Sequence, residues 1–77
     1  MGVSSVSSTD TTYSIRVDDA SSTVTYVGEA QTGSSESGAV WRIKRLTTSG
    51  TVLAIEWADG NMQFDNVWSD RTTLTYG

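Results

Sequence analysis

Apolar and polar residues alternate along most of the chain with the two-residue period of β-strands. In residues 11–17 this places Tyr13, Ile15 and Val17 on one side and Ser14 and Arg16 on the other. Asp18-Asp-Ala-Ser-Ser22 reads as a turn, and 23–28 as a second strand with Val24 and Tyr26 on one side. Pairing Val17 with Val24 sets Ile15 opposite Tyr26, so the apolar sides agree and a first hairpin is predicted. Residues 29–38, Glu-Ala-Gln-Thr-Gly-Ser-Ser-Glu-Ser-Gly, carry no such pattern and predict an exposed, mobile loop.

The middle of the chain is the most informative. In the strand 39–47, Trp41 and Ile43 share a side; in 51–57, Leu53, Ile55 and Trp57 do. A three-residue loop, Thr48-Ser-Gly50, would pair Thr47 with Thr51, with Gly50 in a left-handed conformation. That register sets Ile43 against Ile55, Trp41 against Trp57 and, on the opposite side, Arg42 against Glu56. Asp59-Gly60 is the strongest short hairpin signal in the chain. As the centre of a tight turn it would bring Trp57 to Met62 and Ile55 to Phe64. The expectation is a three-stranded meander over 39–66 with a core stripe of Trp41, Ile43, Leu53, Ile55, Trp57, Met62 and Phe64.

Two readings stay open for Asp65–Arg71. Strand parity would carry Trp68 inward beside Phe64, whereas the four-residue spacing of Phe64 and Trp68 suits one helical turn capped by Asp65. Thr72–Tyr76 then reads as a last strand with Leu74 and Tyr76 inward. The predicted fold is all-β, a small antiparallel barrel or sandwich of about six short strands with a flexible N-terminal arm. The arm is 1–10, Ser-rich with only weakly apolar residues, and 11–77 form a single β domain. With no proline anywhere, nothing of that kind blunts the sheet edges.

Composition narrows the chemistry. Cys and His are absent, so no disulfide, Ser-His or Cys-His pair exists, and zinc binding is not expected. Ser-Lys chemistry would need Lys44, the only lysine, which lies mid-strand without a signature around it. Asp59-Gly-Asn61 and Asp65-Asn66 hold calcium-ligand types at spacings that depart from the calcium loop. No glycine-rich phosphate loop occurs. The reading is of a protein that is not an enzyme and takes no cofactor or metal.

Seventy-seven residues of net charge −4, with five basic residues, make neither a nucleic-acid nor an anionic-membrane partner expected. The first residues lack a basic segment followed by an apolar run, so no signal peptide is expected. A chain this short and free of cysteine leaves oligomerisation, or docking on a larger assembly, as the means of bolstering a small core. Arg42 and Lys44 lie on one side of their strand and are candidate contacts for an acidic partner. Trp68 is the aromatic expected to reach the surface, where it would serve a partner or a sugar.

The segments Tyr26-Val-Gly-Glu-Ala30, Ala39-Val-Trp-Arg-Ile-Lys-Arg45, Trp57-Ala-Asp-Gly-Asn61, Phe64-Asp-Asn-Val-Trp-Ser-Asp-Arg71 and Leu74-Thr-Tyr76 resemble, in order and spacing, a family of short proteins encoded by tailed bacteriophages. The resemblance covers most of 24–76. Its members are mostly of unassigned function and supply no site residues. It implies a virion structural protein, in first place a capsid decoration (cement) protein held by contacts with other virion proteins. A small tail, neck or fibre-associated protein, or a carbohydrate-binding module, is the alternative. Either virion role implies a homo-oligomer, a trimer or higher.

Overall fold

The computed structural model describes residues 12–77; the arm expected over 1–10 lies outside them. Four strands form one antiparallel sheet in chain order: β1 (Tyr13–Asp18), β2 (Val24–Gln31), β3 (Ala39–Ser49) and β4 (Val52–Trp57). A two-residue strand, β5 (Asn66–Val67), pairs with the start of β3, and a 3₁₀ turn over Trp68–Asp70 follows it. The all-β class holds. The sheet stays open instead of closing into a barrel, and the strand expected at 72–76 is reduced to a single bridge between Tyr76 and Ala58.

One side of the sheet is covered by the chain itself. Trp41 and Ile43 of β3 are buried there with Ala30, Ala58 and Trp68, and Tyr26, Leu74 and Tyr76 close around them. Trp41 and Trp68 meet with ring centroids 5.9 Å apart. Gly28, opposite Ile43, makes room: a Cβ there would stand 2.5 Å from the Trp68 ring. The covering segment is tied down at both ends. Arg71 lies over Trp68 and donates from Nε to Asp18 of β1 at 3.0 Å. The Tyr76 hydroxyl donates to the Arg71 carbonyl at 2.8 Å.

Two of the three predicted hairpins form, each displaced by three residues. Val17 pairs with Val27 instead of Val24, and Ile55 pairs with Leu46 instead of Ile43. The second displacement follows from the turn. Ser49 pairs with Val52 across a two-residue loop, and Gly50 takes its positive φ of 61° at the first central position, as in a type II′ turn. Three is odd, so each strand presents its other face. Tyr13, Ile15 and Val17 of β1, and Leu53, Ile55 and Trp57 of β4, therefore lie on the side away from Trp41. Glu56 is carried from Arg42 to Arg45, with which it pairs at 2.7 Å.

The Asp59-Gly60 turn is present, with both residues at positive φ, but no hairpin grows from it. The backbone beside Trp57 and Asp59 is already taken. The Asp59 amide donates to Thr75, and the Gly77 amide donates to Trp57. Met62 and Phe64 are consequently exposed, neither one paired with β4. Val67, not Asp65, stands at the N-cap position of the 3₁₀ turn, without a side-chain cap. The loop expected at 29–38 shortens because β2 runs on to Gln31.

Candidate functional site

The feature that stands apart is the side of the sheet the chain leaves open. Cross-strand partners fall into rows on it. One row is Ile15, Glu29 and Arg42; the next is Val17, Val27, Lys44 and Trp57; then come Thr25, Leu46 and Ile55, and finally Thr48 and Leu53. Tyr13 ends the face, its ring stacked on Phe64 at 5.7 Å. No described residue lies over the central rows. Ile15, Val17, Leu53 and Ile55 are 53 to 65% exposed, an unusual state for large aliphatic side chains sharing one face.

Charge on this face is sparse and arranged. Among the described residues Glu29 is the only carboxylate in its rows, and Arg42 donates to it from both Nε and Nη2 at 2.9 and 2.6 Å. The Arg42 guanidinium also lies over the rings of Phe64 and Trp57, at 4.7 and 5.6 Å. Lys44 sits over Trp57 with its amine 5.4 Å from the ring centre. Arg16, Arg42, Arg45 and Arg71 each hold a carboxylate; among the described residues Lys44 forms no ion pair.

The residues singled out from sequence separate. Arg42 and Lys44 lie together on the open face. Trp68 is only 5% exposed and belongs to the core, because β5 turns it under the sheet against Gly28 and Trp41; it presents no surface to a partner or a sugar. Of the seven expected core residues, Trp41 and Ile43 are buried, Trp57 is half-buried beneath Arg42 and Lys44, and Leu53, Ile55, Met62 and Phe64 are exposed. Sequence reasoning missed the exposed Ile15 and Val17, and the half-buried Val27 and Leu46, as residues of this face. Their alternation was visible, but alternation alone does not say which side is covered.

At one end of the face a groove of about 280 Å³ is lined by Tyr13, Gln31, Ser34, Val40 and Phe64. Among the described residues no cluster of three or more carboxylates could hold a metal ion, and no helix is long and apolar enough to cross a membrane. At Tyr76, burial and then the nearby Tyr26 push the phenol up to about 12. That hydroxyl is engaged as a donor to Arg71 in the segment that covers the core. No family model, curated protein or solved structure matches this chain.

Proposed function

We propose that this chain is a structural component of a tailed-bacteriophage particle, in first place a capsid decoration protein that stabilises the shell by protein–protein contacts. A small tail, neck or fibre-associated protein is the neighbouring reading. The observation that carries the proposal is the open sheet face, an apolar surface that among the described residues has one carboxylate and no covering layer. Such a surface suits assembly, because burying it contributes roughly 25 cal/mol for each Å² removed from water.

Two further features support it. β1 and β4 are edge strands, and neither carries a proline or a lysine to deter a neighbouring chain from adding a strand. Binding to many neighbours would stabilise a chain whose own core centres on five buried side chains. The test is quantitative mass spectrometry of purified particles of the phage that encodes the chain. A copy number comparable to that of the capsid subunit is expected for a decoration protein, and a few copies for a tail or neck part. Absence from the particle sinks the proposal.

A further inference from the structure

We propose that the open face packs against the same face of a second copy, closing a two-layer sandwich about a two-fold axis that runs along the strands between β2 and β3. It uses the face that carries the virion reading, so in such a dimer contacts with other virion proteins would fall to the edge strands β1 and β4, and a dimer departs from the trimer or higher that the resemblance implies.

A sheet with one apolar face bare lacks its second layer. Here Val17 is 65% exposed, and Val27, Leu46 and Trp57 are only half-buried in the rows beside it, the state of a face that a second layer would cover. Two such faces laid together give the spacing of about 10 Å at which aligned sheets fill a common core.

Charge selects the second copy as occupant and fixes the axis. A two-fold interface must be self-complementary, each residue meeting its counterpart's partner. Glu29 and Arg42 occupy neighbouring positions of one row, on β2 and β3. An axis along the strands between β2 and β3 preserves rows and lays β2 of one copy over β3 of the other. Glu29 then lies over Arg42 of the second copy, and Arg42 over Glu29, giving four charges of alternating sign. The same rotation sets Val17 against Trp57 and Val27 against the stem of Lys44, and it keeps the two Lys44 side chains on opposite sides of the axis. A two-fold running across the strands would instead lay β3 upon β3 and bring basic groups together. The acids that make the chain negative overall lie elsewhere: Asp18 and Glu56, for example, are on the covered side.

Sedimentation velocity of the full chain from micromolar to near-millimolar concentration tests this. A species of twice the 8.3 kDa chain mass is expected. Val17→Asp should leave near-ultraviolet circular dichroism unchanged, because Val17 is already 65% exposed in the single copy. It should weaken association at least about a hundredfold, as burial of an unpaired carboxylate does. Glu29→Arg and Arg42→Glu should each be monomeric alone, yet associate when mixed, since each then supplies the charge the other lacks. A wild-type chain that stays monomeric throughout, a dimer indifferent to Val17→Asp, or folded charge variants that ignore each other would overturn the proposal. So would association that survives Val17→Asp but is lost on Ile15→Pro, which would put the contact at the β1 edge.

Discussion

Trp68 lies flat on Gly28, and that contact reaches further than any other single one in the molecule. A methyl group at position 28 would fall 2.5 and 2.7 Å from two ring carbons of Trp68 and 3.2 Å from Trp41. Neither indole has room to retreat, so Gly28→Ala is expected to cost about 1–3 kcal/mol by overpacking. Urea denaturation would read that cost, together with a changed near-ultraviolet indole signal. Trp68→Ala removes the largest part of the covering segment and should cost about 3–5 kcal/mol. Tyr76 gives the molecule an alkaline limit. Its phenol is neutral when protonated, and the folded chain holds that proton up to about 12 against the usual 10.0. The stability this contributes is fully present below pH 10 and is lost as pH rises toward 12. Tyr76→Phe should remove that added slope from unfolding midpoints measured across the window.

Among the elements, the β3–β4 hairpin shows what a sequence pattern can and cannot specify. The strands, the turn and the glycine were all legible, because period-two alternation and Gly50 are local. The register was not. The criterion applied, that all apolar residues should share one face, assumes a single apolar face, and this sheet has two. Trp41 and Ile43 serve the chain's own core, while Leu53 and Ile55 serve the other side. The open face was illegible for the same reason. The covering of Trp41 depends on Trp68 arriving from far along the chain, and no spacing signals it. Gly50 now stands at the first position of a two-residue loop with open space where its Cβ would be. Gly50→Ala should therefore cost about 1 kcal/mol through backbone conformation alone. A thermal melt would show a slightly lower midpoint with the pairing of β3 and β4 intact.

For the molecule as a whole, a sheet whose described residues cover one face and leave the other bare makes stability a collective property. If two copies share their open faces, unfolding midpoints should rise with protein concentration, following mass action, and the rise should vanish in Val17→Asp. β3 has the longest course and pairs with β2, β4 and β5, yet its partners reach it from very different distances along the chain. β2 and β4 adjoin it directly, whereas Ala39 must wait for Val67, and Trp41 for Trp68. Closing the longer span carries the larger entropic cost, so the hairpins should zip first and the indole pair should close last. In stopped-flow refolding the backbone signal is expected to outrun the exciton band of the coupled indoles. The chain thus has a built-in order of events, in which the sheet exists before its own lid arrives.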